Sequence, residues 1–382
     1  MPAEPRLRVA FACDGLGFVE RGYETTTAAF ADALRERPDL GIEATLYSGG
    51  PFPGAVPLGL PAGVVRLLRR RLPRRDHDLN QYAFAAELAW RLWRDRPAVL
   101  WTKRAWLARV VRRARALLGF ETVIVLANGG LDDPRSLRGI DFIQQLHPEK
   151  RERALRAGLP DERMEVLANL VRPMRPTRSR AATRQALGLE PDDFVVISVA
   201  AWIRSYKRLD YVIDEVAAID DPSVKLLLVG QDEPGSGGLV DLGRRRLGSR
   251  VKFLTLPHDQ IPDALTACDV FVLATLEEGF GQAILEARVA GVPIVAHPHG
   301  GSRYILEDDP RGLCDLSRRG ALARRLAELR AHPPDAPSLQ DSAARALERF
   351  GPTSAVDRFA ALLRRAQALG PLAGGRRGPI PP

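Results

Sequence analysis

The sequence predicts an α/β fold with two domains, each built on a parallel β-sheet that helices cover on both faces. Two observations lead to this prediction. The length of 382 residues suits two domains better than one. Short apolar runs alternate with stretches of helical period, as in parallel sheets buried on both faces. The clearest runs are LRVAFAC (7–13), TVIVLA (122–127), FVVISVAA (194–201), VKLLLVG (224–230), VFVLAT (270–275) and VPIVAH (292–297).

The domain boundary is predicted from a break in this pattern. Residues 169–184, NLVRPMRPTRSRAATR, contain two prolines and no hydrophobic period, so we predict the interdomain linker there. The domains are then residues 1–175 and 176–352. A final helix over 353–370 is expected to pack back on the N-terminal domain, and residues 371–382, rich in Pro and Gly, are expected to be disordered. The expected binding site is a cleft at the carboxyl ends of the strands.

Composition excludes several classes of protein. No apolar run approaches the roughly 18–20 residues that cross a bilayer. The N-terminus lacks the pattern of a secretory signal peptide, and the three cysteines are far apart, which together favour a cytoplasmic protein without disulfides. The six scattered histidines do not indicate a metal centre. The net charge is +9, and most of the excess lies before residue 176, where 29 Lys and Arg accompany 21 Asp and Glu.

Two basic segments account for much of this excess. Residues 64–75 and 104–120 mix Arg with Leu, Val and Trp at roughly helical spacing. Three interpretations stay open: the solvated face of a helix, a patch that docks on anionic membrane with Trp106 at the interface, or a pocket for an anionic acceptor. The charge also raises a nucleic-acid-binding protein as an alternative. No aromatic and basic RNA signature is present, so we expect no nucleic-acid partner.

A cluster of cations follows the first strand of the second domain. The stretch VAAWIRSYKRLDYVIDEV places Arg204, Lys207 and Arg208 in a loop between a strand and a helix. Cations at the carboxyl end of a parallel strand point toward the expected cleft. They suit a diphosphate, whose charge must be neutralised.

A glycine-containing loop opens a second helix in the same domain. In EEGFGQAILEARVAG (277–291), Gly279 and Gly281 remove side chains from the loop, so the N–H groups near Gln282 and Ala283 are predicted to be accessible. A helix N-terminus favours anions, and phosphate is the natural guest.

Two glutamates stand on either side of this helix start. Glu278 precedes the helix, where a carboxylate would repel phosphate, so we assign it to a hydroxyl-rich group such as a sugar. Glu286 lies one turn inside the helix, where it can accept hydrogen bonds from ribose hydroxyls. Together they would bracket the phosphates of one sugar nucleotide. A capping acid and an unrelated surface glutamate remain the alternative.

The glycines after the first strand do not indicate a nicotinamide cofactor. The stretch CDGLGFVERGYETTTAAF holds Gly15, Gly17 and Gly22, but the dinucleotide fingerprint needs a third glycine where Glu20 stands. We therefore interpret these residues as a flexible turn that lines a cleft.

These motifs resemble those of the family-4 retaining glycosyltransferases. The Glu-x7-Glu motif of that family is matched by Glu278 and Glu286, and its phosphate-binding segment by VAAWIRSYKRLDYVI, with Lys207 at the family lysine. The resemblance is specific over about 195–310. It is looser in the N-terminal half, where Gly22 is similar to the glycine-loop residue near the donor phosphates.

The sequence departs from the family pattern at two places. The family arginine that precedes the lysine is replaced by Ala201 or Trp202, and Arg204 is the candidate substitute. Many members carry a histidine that faces the reacting sugar, and Asn128 stands there in VLANGG. Asparagine can hydrogen-bond a hydroxyl but cannot carry charge.

The resemblance implies a GT-B fold of two Rossmann-like, doubly wound domains. It implies retaining transfer of a sugar from a nucleoside-diphosphate sugar to a hydroxyl of a small molecule, natural product, glycolipid or polysaccharide precursor, without metal or other cofactor. The implied catalytic residues are Glu278, Lys207 and Asn128. The implied donor-binding residues are Gly22, Arg204, Lys207, Glu278, Gly279, Phe280, Gly281, Gln282, Ala283 and Glu286. A catalytically inactive sugar-nucleotide-binding subunit is the alternative that Asn128 and Trp202 raise.

Overall fold

The chain divides into two compact units. The computed structural model describes residues 6–19, 22–60, 76–232 and 236–372. The first unit is Met1–Leu170 with Pro352–Pro382, and the second is Val171–Gly351. The predictions for the basic segment 64–75 and for the tail after Leu372 lie outside the described residues.

The first unit is built on a parallel sheet of seven strands in the order β3-β2-β1-β4-β5-β6-β7. Its strands are β1 (Leu7–Cys13), β2 (Ile42–Ser48), β3 (Ala55–Pro57), β4 (Val99–Thr102), β5 (Val123–Asn128), β6 (Phe142–Gln145) and β7 (Met164–Val166). Its helices are α1 (Gly22–Arg35), α2 (Asp76–Asp95), α3 (Ala105–Leu118), α4 (Pro148–Arg156) and the C-terminal α14 (Pro352–Leu369). The reversal of strand order beside β1 is typical of doubly wound sheets, whose ligands bind outside the carboxyl ends of the strands.

The C-terminal helix α14 completes the core of the first unit. Phe359 is fully buried, and its ring centroid lies 4.4 Å from that of Phe30, 5.9 Å from Trp101 and 6.0 Å from Phe11. The opposite face of the sheet is covered by α2 and α3, which bury residues such as Phe84 and Leu107. The last helix is therefore part of this core.

The second unit is built on a parallel sheet of five strands in the order β10-β9-β8-β11-β12. Its strands are β8 (Phe194–Val199), β9 (Val224–Val229), β10 (Val251–Leu254), β11 (Val270–Leu273) and β12 (Ile294–Ala296). Its helices are α5 (Arg180–Ala186), α6 (Arg204–Lys207), α7 (Leu209–Ala217), α8 (Leu239–Leu247), α9 (Ile261–Thr266), α10 (Gln282–Val289), α11 (Gly300–Ile305), α12 (Ala321–Ala331) and α13 (Ala336–Phe350). The six apolar runs of the sequence correspond to β1, β5, β8, β9, β11 and β12, as predicted.

The structure corrects the predicted linker. Helix α5 begins at Arg180, inside the stretch that was predicted to be irregular up to residue 184. The Ser179 side chain accepts a hydrogen bond from the Ala182 N–H and so caps the helix. Arg184, near its end, is buried and donates to the Glu190 carbonyl. This short helix is held by its cap and a buried arginine, which hydrophobic periodicity does not register.

Candidate functional site

In the second unit, glycines allow the backbone of the β11–α10 loop to approach helix α11 closely. Gly281 precedes α10 with φ of 100°, a left-handed conformation that favours glycine. A Cβ on Gly301 would lie 1.9 Å from the Phe280 carbonyl oxygen, so no larger residue fits there without movement. The first turn of a helix leaves backbone N–H groups without an intrahelical acceptor. The start of α10, at Gln282 and Ala283, therefore carries the positive end of the helix dipole.

Glu278 and Lys207 form an ion pair in this loop region. The Lys207 ammonium donates to both carboxylate oxygens of Glu278, at 2.8 and 3.0 Å. The Tyr206 hydroxyl donates to one of them at 2.9 Å, and its ring lies 4.5 Å from the Lys207 nitrogen. The lysine and glutamate side chains are only 17% and 13% exposed. The structure thus places two of the predicted residues together and adds Tyr206, which the sequence analysis did not select.

The two arginines beside Lys207 have different environments. Arg204 is half exposed and pairs with Asp210 at 3.2 Å. Arg208 adopts a left-handed φ of 50° and donates to the carbonyl oxygens of Ala274 and Leu316. Arg208, which follows α6, therefore connects the end of that helix to the carboxyl end of β11. The role of Arg204 as a donor-binding residue stays a prediction.

Glu286 is nearly buried on α10. One of its carboxylate oxygens lies 3.4 Å from Nε2 of His258, in the short turn that precedes α9. His258 is a neighbour that sequence reasoning missed, because the two residues lie on different elements of the fold. The motif identified Glu286 but not the side chain beside it.

His299 closes the same region from the N-terminus of α11. Its Nδ1 accepts a hydrogen bond from the Ser302 N–H at 3.2 Å, while the Ser302 hydroxyl accepts from the His299 N–H. Burial lowers the pKa of His299 to about 4, and the nearby Glu278 opposes this shift only in part. Among the described residues, its buried Nε2 has no hydrogen-bond partner. A buried nitrogen of this kind is suited to a ligand hydroxyl.

The buried histidine predicts a specific pH dependence of stability. Because the folded-state pKa of about 4 lies below the ordinary 6.5, the unfolded chain takes up the proton first as pH falls below about 6.5. The stability that comes from keeping His299 neutral is fully present above about pH 6.5 and is lost as the pH falls toward 4. We expect His299→Asn, which keeps a capping oxygen, to lose about 1 kcal/mol less unfolding free energy than the natural protein between pH 7.5 and 5.5. Urea denaturation at both pH values measures this. Identical losses in the two proteins would contradict a buried neutral His299.

In the first unit, Asn128 ends β5 and is buried. Its side-chain amide donates to the Gln145 oxygen at 2.9 Å, and the Lys150 ammonium lies 3.4 Å from its oxygen and also donates to the Gly130 carbonyl. Asn128 is therefore held in place by its neighbours. Gly22, the first residue of α1, is exposed. Catalytic and phosphate-binding roles for these two residues remain predictions.

A buried lysine beside β4 was not predicted. The Lys103 ammonium donates to the Thr26 hydroxyl at 2.7 Å and to the Asn169 side chain at 2.8 Å. Burial lowers its pKa to about 7. The next residue, Arg104, pairs with the buried Asp14 at 2.9 Å. Lys103 and Arg104 could have been predicted from their position directly after an apolar strand, because ligands of parallel sheets bind at the carboxyl ends of the strands.

None of the helices in the described residues has the length and apolar character that a bilayer span requires. In the same part of the chain, no group of three His, Cys, Asp or Glu side chains is arranged to hold a metal ion.

Residues 193–332 match the family model Glycosyl transferases group 1. The matched segment contains Lys207, Glu278, Glu286 and His299. Asn128 and Lys103, with the side chains that contact them, lie outside the matched segment.

Relatives with curated names extend the similarity. The chain is 31% identical over 190 residues to the D-inositol 3-phosphate glycosyltransferase of Streptomyces bingchenggensis, covering 46% of this chain and 42% of that relative. It is 28% identical over 357 residues to the protein of the same name in Rhodococcus jostii, covering 85% of this chain and 76% of the relative. The chain thus spans about two fifths of the length of the Streptomyces relative that it matches.

A solved structure shows the fold. The crystal structure of Anabaena HepE in complex with UDP and glucose superimposes with a TM-score of 0.73 at 20% identity, covering 94% of this chain and 100% of that chain. Together with the two parallel sheets, this likeness shows the GT-B fold. The predicted fold class is confirmed.

Proposed function

We propose that the protein is a retaining glycosyltransferase that transfers a sugar from a nucleoside-diphosphate sugar to an acceptor hydroxyl. The observation that carries this proposal is the Lys207–Glu278 pair beside the glycine-capped start of α10. A cation and a helix N-terminus suit a diphosphate, and a carboxylate suits sugar hydroxyls. The match of this segment to the glycosyl transferase family model supports the assignment.

The mechanism follows from where charge develops. As the bond from the sugar to the diphosphate breaks, negative charge grows on the leaving oxygen. Lys207 and the N–H groups at the start of α10 would stabilise that charge, assisted by Arg204. The leaving oxygen would take the proton of the acceptor hydroxyl on the same face of the sugar, which retains the anomeric configuration. Glu278 would orient sugar hydroxyls near C3 or C4, and Glu286 would bind the ribose.

The donor and acceptor are proposed by chemical class. A UDP-sugar is the first donor to test, because the structurally similar HepE was crystallised with UDP and glucose. The named relatives act on D-inositol 3-phosphate, which makes a phosphorylated polyol the first acceptor to test. In the first unit, the buried Lys103 and Asp14 and the half-buried Arg104 are chemically suited to hydroxyl and phosphate groups.

An assay of sugar transfer to an acceptor tests this function. The purified chain should produce a glycosylated acceptor when it is supplied with a panel of UDP-, GDP- and dTDP-sugars. A thermal-shift screen of the same donors identifies which nucleotide stabilises the fold. A chain that binds donors but neither transfers nor hydrolyses them would instead be the inactive sugar-nucleotide-binding subunit.

We expect transfer without a divalent metal. The positive charges that the leaving diphosphate needs are supplied in this proposal by Lys207, Arg204 and the dipole of α10. Initial rates measured in EDTA and in Mg²⁺ should therefore agree within about twofold. Loss of activity in EDTA that Mg²⁺ restores would contradict this assignment.

Peripheral contact with anionic membrane is a second, separable proposal. On α3, Leu117 is 85% exposed and Leu118 is 47% exposed, close in sequence to the exposed Arg112 and Arg113. Trp106 instead packs against the core of the first unit, which disfavours it as the interfacial anchor. We expect cosedimentation with phosphatidylglycerol vesicles at low salt, reduced by Leu117→Ser. No cosedimentation at low salt would contradict this proposal.

A further inference from the structure

In this structure the lysine assigned to the diphosphate already has an anionic partner. Lys207 uses two of its three N–H donors on Glu278, at 2.8 and 3.0 Å. Both side chains are mostly buried, and the Tyr206 hydroxyl completes the contact at 2.9 Å. The charge of Lys207 is therefore neutralised before any donor arrives.

A diphosphate and Glu278 cannot both contact Lys207 at this distance without repelling each other. Phosphate oxygens within hydrogen-bond distance of Lys207 would lie within a few ångströms of the Glu278 carboxylate. Like charges this close cost free energy, and the cost rises where side chains are shielded from water. One anion has to replace the other on the lysine.

We propose that Glu278 is the internal counter-ion of Lys207, that the donor diphosphate displaces it, and that Tyr206 keeps the displaced carboxylate in position for the sugar. This inference rests on the proposed function. Displacement leaves Glu278 with unused acceptor capacity. The hydroxyls of a bound sugar can fill it, but a free diphosphate offers no hydroxyl to do so.

This exchange, in which the diphosphate replaces Glu278 on Lys207, makes the Lys207–Glu278 pair a determinant of donor specificity. A free nucleoside diphosphate has to break the Lys207–Glu278 contact and leaves the carboxylate uncompensated. A sugar nucleotide breaks the same contact and returns hydrogen bonds to Glu278 through its hydroxyls. The site therefore discriminates against anions that lack the sugar, including the leaving diphosphate, which favours product release.

Tyr206 is the positioning residue in this exchange. Its hydroxyl donates to Glu278 independently of Lys207, since the two donors lie on different side chains. When Lys207 moves to the diphosphate, the tyrosine contact remains. Tyr206 lies outside the Glu-x7-Glu motif and would act through Glu278.

The first test measures how the full-length protein binds inorganic pyrophosphate and UDP by calorimetry. Glu278→Gln frees Lys207 and should tighten pyrophosphate binding about tenfold, which corresponds to unit charges roughly 3 Å apart in water. The matched control is Asp214→Asn, which removes the same charge from an exposed pair with Arg246 and should leave the affinity unchanged. Equal or weaker pyrophosphate binding by Glu278→Gln would overturn the exchange.

The second test examines Tyr206. Tyr206→Phe should leave the Tm unchanged and the pyrophosphate affinity within about twofold of that of the natural protein. It should lower kcat for transfer about tenfold, the loss of one hydrogen bond to a charged group. In the Glu278→Gln background the same change should have no further effect on kcat. An equal drop in both backgrounds would show that Tyr206 does not act through Glu278.

The result for Lys207→Ala separates this inference from the function on which it rests. If Lys207→Ala weakens pyrophosphate binding and Glu278→Gln does not strengthen it, the diphosphate site stands and the exchange is wrong. If the natural protein and both variants bind neither pyrophosphate nor UDP, and no sugar is transferred, the proposed function itself is wrong.

Discussion

Lys207→Ala is expected to lower kcat for sugar transfer about 100-fold or more, the typical cost of losing one preorganised charge partner of a transition state. The ammonium would contact the diphosphate most strongly when the leaving oxygen carries its full charge. The loss should therefore appear in kcat as well as in kcat/KM. The ammonium is held in place before the donor binds, because Lys207 is mostly buried and lies 2.8 Å from Glu278.

A matched lysine in the same unit provides the control. Lys252, on β10, donates to the backbone carbonyls of Leu187 and Gly188. Lys252→Ala removes the same charge outside the proposed donor site and should retain turnover within about threefold of the natural protein. Steady-state kinetics with the donor identified by the screen measures both variants. Near-normal turnover by Lys207→Ala would refute the diphosphate role.

Phe359→Ala is expected to lower the unfolding free energy of the first unit by about 3–5 kcal/mol, the usual cost of removing a fully buried phenylalanine. The ring is 0% exposed and packs against Phe30, Trp101 and Phe11. The cavity left behind would be lined by large aromatic rings, which cannot easily collapse into it. The C-terminal helix is thus expected to be essential for the stability of this unit.

Leu369→Ala is the control on the same helix. Leu369 is the last residue of α14 and is 36% exposed, so its truncation should cost less than about 1 kcal/mol. Urea denaturation followed by tryptophan fluorescence measures both variants, because four of the five tryptophans lie in the first unit. A loss below about 1 kcal/mol for Phe359→Ala would contradict the packing described for α14.

Much of the fold could be predicted from the sequence because parallel strands are buried on both faces. Runs such as VFVLAT and VKLLLVG therefore carry a continuous apolar signal, and β11 and β9 were found at those positions. The short helix α5 was missed because it has only seven residues and depends on Ser179 as its cap.

The candidate site was only partly predictable. Glu278, Gly281 and Glu286 could be proposed because they are close in sequence and surround one helix start. Tyr206 donates to Glu278 across 72 positions of sequence. The contact depends on how β8 and β11 lie side by side, and sequence spacing alone does not reveal it.

Buried polar residues were the least predictable. In the sequence, Lys103 looks like an ordinary surface residue, and nothing there indicates that His299 is buried. Their lowered pKa values arise from burial, which depends on the assembled fold.

The most direct test of the central claim is a crystal structure of the protein with an intact nucleoside-diphosphate sugar bound. We expect phosphate oxygens within hydrogen-bond distance of Lys207 and of the N–H groups at the start of α10, with the ribose hydroxyls on Glu286. We also expect Glu278 to have left Lys207 for the sugar hydroxyls. A donor bound elsewhere, with the Lys207–Glu278 pair intact, would contradict it.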